Sequence, residues 1–316
     1  MLSRTAESLF WLARYMERAE NTARLLEAAA RLSALPSSST GPGQPASEWE
    51  SAILACGLEG PFYAIHEEAT ARNVVDFLAF SLDNPSSIRS CLEIGRANAR
   101  SVRTALTLEM WEAINSAWLE LKRFRTVGHS RPELMEFINF VKRSALLLDG
   151  LAYRTMLRTD SFAFYRIGTY LERADATGRI LDVKYHVLLP KDAPVGGGLD
   201  YFQWSSILRS VSALTAYHWV YKESLKPWLV ADLLILREEM PRSLASCYAN
   251  LVRYLDDLAR YYGRQGQAQR KARDTHALLR NRSIDAVFSE GLHEFVEGFI
   301  GENNLLGNAI TEQYLV

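Results

Sequence analysis

The sequence predicts an all-α protein, and three observations support this fold class. Apolar residues recur at spacings of three and four along long segments, whereas sustained alternation with a period of two is scarce. The 18 glycines and 10 prolines concentrate in a few places, which leaves room for long helices between them. A hydrophobic fraction of 48% over 316 residues supplies a substantial core. The helical pattern covers the segments 4–34, 61–82, 86–125, 133–158, 160–188, 201–222 and 242–265.

Two stretches are too rich in turn-forming residues to continue a helix, and both are predicted to be surface loops: Pro36–Ser47 and Pro190–Gly198. Proline fits the first turn of a helix, where its missing N–H has no intrahelical partner. Three prolines therefore predict helix starts, at Asn84-Pro85, at Met240-Pro241 and behind Ser130 at Pro132.

Composition also limits the classes of function. The chain carries 36 basic and 37 acidic residues, so net charge attracts no polyelectrolyte and a nucleic-acid partner is not expected. The basic stretch 264–273 predicts a mobile connector or a solvated helix face. Cys56, Cys91 and Cys247 form an odd set without CxxC spacing, which favours a reducing compartment, the cytoplasm. No stretch reaches 18 apolar residues and no signal peptide is evident, so neither export nor a membrane span is expected.

An internal repeat organises the chain. YMERAENTARLL at Tyr15 returns as YLERADATGRIL at Tyr170, 155 residues later, with seven of twelve positions identical. The correspondence continues in order with an offset of 155 or 156: Trp49 with Trp204, Asp76 with Asp232, NPSSI with MPRSL, and Cys91 with Cys247. These matches predict two related halves, 1–155 and 156–316, fused as a pseudo-dimer around a local two-fold axis.

Each half opens with a helix that carries the motif. The centre of one face is small in both copies: Ala19 and Ala23 in the first, Ala174 and Gly178 in the second. Small residues four apart permit close helix approach. The two motif helices are therefore expected to cross at these four residues.

The motif helices carry aromatic and apolar residues on nearly every side, so some of the charged side chains of the motif are expected to be buried. The candidate ligand-binding residues are Tyr15, Glu17, Arg18, Arg24, Tyr170, Glu172, Arg173 and Arg179. A buried charge must be paired or must bind something. In one interpretation they form an ion-pair network between helices. In the other they form an anion pocket, in which arginine forks bind a carboxylate or phosphate, Glu17 or Glu172 orients the arginines or receives an amine, and the tyrosines supply hydroxyls. The two interpretations are compatible.

Motifs for other chemistry are absent or isolated. No phosphate-cradling glycine loop, dinucleotide fingerprint or hydrolase elbow occurs. Histidines lack paired-ligand spacing, and Glu290 to His293 is a lone ExxH, so neither a metal nor a cofactor is expected. Cys91 and Cys247 suit buried small apolar positions better than nucleophilic ones. No catalytic residue is assigned.

The motif regions resemble the alpha-E domain family, which is named for an all-helical prediction and a Glu-Arg motif. The resemblance rests on LSRTAESLFWLARYMERAENTARLL at Leu2 to Leu26 and RIGTYLERADATGRILDVKY at Arg166 to Tyr185. NPSSI at Asn84 to Ile88 and MWEAIN at Met110 to Asn115 support it, and with the repeat it covers essentially the whole chain. It implies a bacterial cytoplasmic protein whose gene tends to lie beside a circularly permuted ATP-grasp ligase and often a transglutaminase-like protein. NPSSI departs to MPRSL in the second half, so the role of that element is expected to be asymmetric.

Three functions fit these expectations. The first is an accessory or substrate-presenting component of an ATP-grasp amide-ligase system that makes or modifies a peptide, with the arginine-rich centre holding a carboxylate or phosphate. The second is an enzyme that transfers an aminoacyl or peptidyl group, with Glu17 or Glu172 as general base. The third is a non-catalytic helical scaffold in which the motif is an ion-pair core.

Overall fold

The computed structural model describes residues 1–34, 48–124, 130–187 and 198–315, and within these it leaves aside the side chains of 183–187 and 198–200. Every regular element in these ranges is helical, as predicted. The α-helices are α1 (Ser3–Leu32), α2 (Glu48–Cys56), α3 (Glu59–Tyr63), α4 (Ala71–Val75), α5 (Ile88–Ser101), α6 (Leu108–Leu121), α7 (Arg131–Thr155), α8 (Asp160–Val187), α9 (Gly198–Ser210), α10 (Leu214–Tyr221), α11 (Pro227–Ile235), α12 (Leu244–Tyr262), α13 (Gln267–Asn281), α14 (Ile284–Glu290) and α15 (Leu292–Ile310). Short π-helical segments lie at Asp76–Phe80 and Thr311–Leu315, and a 3₁₀ turn lies at Arg103–Ala105.

The two motif helices, α1 and α8, form the centre of the fold and pack against each other. The sequence of α1 is rich in Ala, Leu, Glu and Arg, which have high helix propensity. The other helices surround them: α5, α7 and α9 pack on α1, α12 and α15 pack on α8, and α2 contacts both. Helices α1 and α8 are therefore shielded on most sides, and the charged residues of the motif are carried into the interior.

The crossing of α1 and α8 lies at a different small residue from those predicted. A Cβ on Gly168 would lie 2.3 Å from the carbonyl oxygen of Phe10 and 3.2 Å from the Cβ of Ala13, so the two backbones touch there. Gly178 instead faces α15, because a Cβ on Gly178 would lie 3.3 Å from Cγ1 of Ile300. The prediction of a crossing at Gly178 was wrong because α15 covers that part of α8. Ala13 and Gly168 are themselves separated by the repeat offset of 155 residues.

Serine caps, rather than proline, set the starts of two helices. Ser87 Oγ accepts a hydrogen bond from the N–H of Ser90, and Ser243 Oγ accepts one from Ser246. Helices α5 and α12 therefore begin after these serines, and Pro85 and Pro241 lie in the preceding turns, not in the first helical turn as predicted. The start predicted behind Ser130 is confirmed, with the Ser130 hydroxyl accepting from Glu133 N–H.

Several predicted helices are interrupted. The segment 61–82 divides into α3, α4 and a π-helical turn, and 86–125 divides at Val102 before Thr107 caps α6. The segment 201–222 divides at Ser212, which has a positive φ of 59°. Gly263, at φ 66°, ends α12. Part of 264–273 then belongs to α13, where Ala268, Gln269 and Ala272 are buried.

The predicted loop Pro36–Ser47 falls on residues outside the described ranges. The same holds for Pro190–Gly198, except for Gly198, where α9 begins. In the described part of the chain, the helices are too short or too polar to cross a membrane.

Candidate functional site

The Glu-Arg dipeptides of α1 and α8 pair with each other across the crossing. Arg173 donates from Nε to Oε1 of Glu17 at 2.9 Å and from Nη2 to Oε2 at 2.8 Å. Arg18 donates from Nε to Oε1 of Glu172 at 2.5 Å and from Nη2 to Oε2 at 3.1 Å. Each glutamate is thus held by a two-point contact from the arginine of the other helix, the strongest geometry for this pair of groups.

Further charged residues join the first pair to form the Glu17 cluster: Glu17, Glu20, Arg24, Arg173 and Arg242. Arg242 donates from Nη1 to Glu17 at 3.0 Å and from Nη2 to Glu20 at 2.6 Å. Arg24 donates from Nε to Glu20 at 2.8 Å and from Nη1 to the carbonyl oxygen of Ser210 at 2.5 Å. All five side chains are 11% exposed or less. The cluster is a closed ion-pair network.

The second pair belongs to the Glu172 cluster: Arg14, Arg18, Glu172, Asp175 and Arg179. Arg14 donates from Nε to Oε2 of Glu172 at 2.7 Å, and Arg179 donates from Nε to Asp175 at 2.6 Å. The side chains of Arg18 and Arg179 are 26% and 29% exposed. This cluster is therefore more open to solvent than the Glu17 cluster.

Both glutamates are held as carboxylates. Burial alone raises the pKa of Glu17, but the guanidinium groups of Arg173 and Arg242 outweigh burial and lower this pKa to about 2. Burial likewise opposes ionisation of Glu172, and Arg14 and Arg18 outweigh it to lower the pKa of Glu172. A carboxylate with a lowered pKa is a weak proton acceptor near neutral pH.

A cavity of about 230 Å³ lies beside the Glu172 cluster. Its polar lining comprises Arg18, Asn21, Thr22, Ser86, Glu172, Asp175 and Arg179. Ser86 has a short side chain in this lining. Its hydroxyl accepts a hydrogen bond from Nη1 of Arg18 at 3.3 Å. Its short side chain leaves the space beside Glu172 and Asp175 open.

Arg242 is the counterpart of Ser86 in the second copy of the repeat, at an offset of 156 residues. Ser86 and Arg242 each come directly before the serine that caps a helix, Ser87 for α5 and Ser243 for α12. The long side chain of Arg242 extends to Glu17 and Glu20, whereas Ser86 stops short of the acidic groups in its own neighbourhood. The departure of MPRSL from NPSSI therefore coincides with the difference between a closed cluster and an open one.

The structure divides the eight candidate residues into three groups. Arg18, Glu172 and Arg179 line the cavity, whereas Glu17, Arg24 and Arg173 belong to the closed cluster. The tyrosines present ring faces to arginines: Arg18 lies 5.6 Å from the Tyr15 ring centroid and Arg173 lies 5.5 Å from that of Tyr170. The hydroxyl of Tyr170 accepts a hydrogen bond from Arg166 at 2.8 Å.

Sequence reasoning missed Arg14, Glu20, Asn21, Asp175, Ser86 and Arg242. Four of them carried a signal. Glu20 precedes Arg24 by four residues and Asp175 precedes Arg179 by four, the spacing of a helical ion pair. Ser86 and Arg242 lie where NPSSI departs to MPRSL. Asn21 and Arg14 have no charged counterpart in the other motif copy, so the repeat gave no indication of them.

Burial makes the three cysteine thiols poorer nucleophiles near neutral pH than exposed thiols are. Burial raises the pKa of the Cys91 and Cys247 thiols to about 12 and that of Cys56 to about 11. His293 of the lone ExxH contacts Asp182 at 2.6 Å. Within the described ranges, no three His, Cys, Asp or Glu side chains are grouped as a metal site.

A wider surface groove of about 510 Å³ lies between α7, α8 and α12, with Tyr153, Arg158 and Arg260 among its residues. Arg260 is 76% exposed, and its charge is shared with Asp257 at the surface. Because its charges face bulk water, this groove lacks the buried polar groups of the smaller cavity.

The fold and the site define an all-helical protein whose two central helices exchange Glu-Arg ion pairs. A family model described as a predicted alpha-helical domain with a conserved ER motif, Alpha-E, matches residues 1–315. The chain belongs to the Alpha-E family. Comparison with curated proteins and with solved structures gave no match.

Proposed function

We propose that this Alpha-E protein is an accessory, substrate-presenting component of a bacterial ATP-grasp amide-ligase system that makes or modifies a peptide. In this proposal the Glu172 cluster binds a carboxylate or phosphate of the substrate or product. A transglutaminase-like protein is a possible second partner of the same system. The association with a ligase rests on the family resemblance, and the binding role rests on the site.

The observation that carries the binding role is the cavity against two partly exposed arginines, Arg18 and Arg179. The Glu172 cluster contains three arginines and two carboxylates, so it carries one excess positive charge. Arginine forks suit carboxylates and phosphates because they donate two parallel hydrogen bonds. An anion entering the cavity would find donors that are already oriented by Glu172 and Asp175.

The two-fold organisation is part of this proposal. Reciprocal pairing of Glu17 with Arg173 and of Glu172 with Arg18 supports it. Arg24 donates to the carbonyl of Ser210 and Arg179 to that of Ala55, and these acceptors are also 155 residues apart. We take residues 1–155 and 156–316 as the two halves. Three free cysteines, Cys56, Cys91 and Cys247, support a cytoplasmic location.

Two alternatives are less well supported. A transferase with Glu17 or Glu172 as general base needs a carboxyl pKa near the working pH, whereas both carboxyl groups have lowered values. A purely structural role is favoured by the closed Glu17 cluster, but it gives no reason for a polar cavity at the Glu172 cluster.

The proposal is tested by mixing the purified protein with the ligase encoded beside it, ATP and candidate peptides. We expect a complex by size exclusion, and faster ADP release and a new product mass when the protein is present. Arg18→Met should reduce this stimulation, whereas the exposed control Arg260→Met should not. Unchanged ADP release together with the absence of a complex would overturn the ligase role.

A further inference from the structure

We infer that the cavity recognises the ammonium and carboxylate groups of a free α-amino acid, with a small apolar side chain, rather than an anion alone. This inference rests on the proposed binding role of the Glu172 cluster and names its ligand class. It is carried by three features of the cavity: its mixed charge, an unpartnered buried donor, and an internal cation that occupies the corresponding place at the Glu17 cluster.

Arg242 indicates which group fits beside a pair of carboxylates in this setting. Its guanidinium lies between Glu17 and Glu20, at 3.0 and 2.6 Å, although these carboxylates already have Arg173 and Arg24 as partners. At the Glu172 cluster, Glu172 has Arg14 and Arg18 as partners and Asp175 has Arg179, but Ser86, which corresponds to Arg242, supplies no cation that bridges the two carboxylates. A ligand ammonium at Glu172 and Asp175 would make the contact that Arg242 makes internally.

Asn21 supplies the complementary end of the site. Its side chain is only 5% exposed and lines the cavity. Oδ1 accepts a hydrogen bond from Arg242 at 3.3 Å, and because arginine only donates, this contact fixes the orientation of the amide. Nδ2 then remains a buried donor that has no hydrogen-bond partner among the described residues. A buried donor without an acceptor is costly, and a ligand carboxylate would satisfy it.

The charges in the lining favour a zwitterion. Arg18 and Arg179 balance Glu172 and Asp175 within the cavity itself. A lone anion would approach two carboxylates, and a lone cation would approach two guanidinium groups, whereas a ligand with both charges can place each one beside its opposite. The cavity volume of about 230 Å³ suits a ligand of amino-acid size.

Beside Thr22 and Cys56, the rest of the lining is apolar and includes Leu25, Leu58 and Leu78. An apolar wall favours an aliphatic side chain over a charged one, because a second charge there would lose its hydration without a partner. Ala176, at the position that corresponds to Asn21 in the second motif copy, leaves further room.

The test compares the binding of L-alanine, propionate, ethylamine and inorganic phosphate by isothermal titration calorimetry on the full chain. Propionate lacks the ammonium group, ethylamine lacks the carboxylate, and inorganic phosphate tests a simple anion. We expect L-alanine to bind at least tenfold more tightly than propionate, ethylamine or phosphate.

Two variants locate the site. Ser86→Arg copies Arg242 into the cavity and should weaken L-alanine binding at least tenfold, whereas Leu82→Arg adds the same charge at a residue 62% exposed and should not. Asn21→Asp keeps an acceptor for Arg242 but replaces the free donor, and it should weaken L-alanine and propionate binding while sparing ethylamine.

A labelling measurement does not depend on how well the variants fold. Cys56 lines the cavity, while Cys91 and Cys247 are buried and serve as internal controls. L-alanine should slow alkylation of Cys56 in the wild-type protein, as measured by mass spectrometry, and propionate should do so less.

The outcomes separate this inference from the proposed function. If propionate or phosphate binds as tightly as L-alanine, the zwitterion inference is overturned and the anion-binding role stands. If L-alanine binds equally to wild type and Ser86→Arg, the cavity is not its site and the inference fails. If no probe binds and none slows labelling of Cys56, both the inference and the binding role fail.

Discussion

The Glu17 and Glu172 clusters each contain three arginines and two carboxylates, and all of these except Arg242 lie on α1 and α8, yet one cluster is closed and the other opens on a cavity. The difference comes from the residue directly before the N-cap of the next helix, Arg242 in one case and Ser86 in the other. Arg242 bridges Glu17 and Glu20, whereas the hydroxyl of Ser86 contacts Arg18. A repeated motif can therefore serve stability in one copy while the other keeps space for a ligand.

The two clusters also differ in the expected cost of removing one charged partner. In the closed cluster, removing one partner leaves a charge that is buried and uncompensated, which destabilises a protein by about 3–5 kcal/mol. In the open cluster, water can reach Arg18 and Arg179, which reduces the penalty for losing a partner. The following experiments challenge this comparison.

The largest effect is expected from Glu17→Gln. This change removes the charge that holds Arg173 and Arg242, and we expect a loss of about 3–5 kcal/mol in the free energy of unfolding. Glu172→Gln is the matched variant and should lose less, because Arg18 is 26% exposed. Urea unfolding of both variants measures the difference. Equal losses would mean that the different solvent exposure of the two clusters does not change the cost of removing a carboxylate charge.

Acid titration tests the origin of the Glu17 effect. The pKa of Glu17 is lowered from 4.5 to about 2 in the folded protein, so its carboxylate stabilises the fold above pH 4.5. That stability is lost as the pH falls through the folded value. The difference in unfolding free energy between wild type and Glu17→Gln should therefore shrink from pH 5 to pH 2. A constant difference would assign the effect to packing.

The helix crossing that positions both clusters gives an intermediate effect. Gly168→Ala would place a methyl group 2.3 Å from a backbone oxygen of Phe10, which only a backbone shift can relieve. We expect a loss of about 1–3 kcal/mol. Gly178→Ala is the control, because its methyl group meets the side chain of Ile300 at 3.3 Å, and it should lose less. Thermal and urea unfolding compare the two, and an equal or greater loss for the control would mean that the backbones of α1 and α8 are not in close contact at Gly168.

The sequence predicted much of this fold because helical periodicity is a local property. The motif helices, predicted at 4–34 and 160–188, are found at Ser3–Leu32 and Asp160–Val187. Burial of the motif charges also followed from the apolar residues around them. The interruption at Ser212 could not be predicted, because a positive φ at a non-glycine residue depends on tertiary contacts, here including the hydrogen bond from Arg24.

The ion-pair partners could not be predicted from the sequence, because they also depend on tertiary contacts. Glu17 and Arg18 are adjacent in sequence, but Glu17 pairs with Arg173 and Arg18 pairs with Glu172 on α8. The periodicity of one helix does not specify the register of the helix that packs against it. The crossing was misplaced because small residues at several positions offer equivalent surfaces for close approach; the close contact lies at Ala13 and Gly168, and α15 covers Gly178. Arg242 was visible only as a departure from a repeated pentapeptide.

The smallest expected effect concerns the arginine at the end of each motif. Arg179 is 29% exposed, pairs with Asp175 within one helix and donates to the carbonyl oxygen of Ala55; because water reaches this site, Arg179→Met should destabilise by about 1 kcal/mol or less. Arg24 is 3% exposed and also donates to Ser210 and Ser212, so Arg24→Met should lose about 1–3 kcal/mol from its buried hydrogen bonds, even though Glu20 retains Arg242. Part of that loss is offset, because burial and the charge of Arg242 lower the pKa of Arg24 and removing Arg24 relieves this repulsion. Urea unfolding of the two variants gives the comparison directly. If Arg179→Met loses as much as Arg24→Met, Arg179 is required for the fold, and the open cluster is structural like its counterpart.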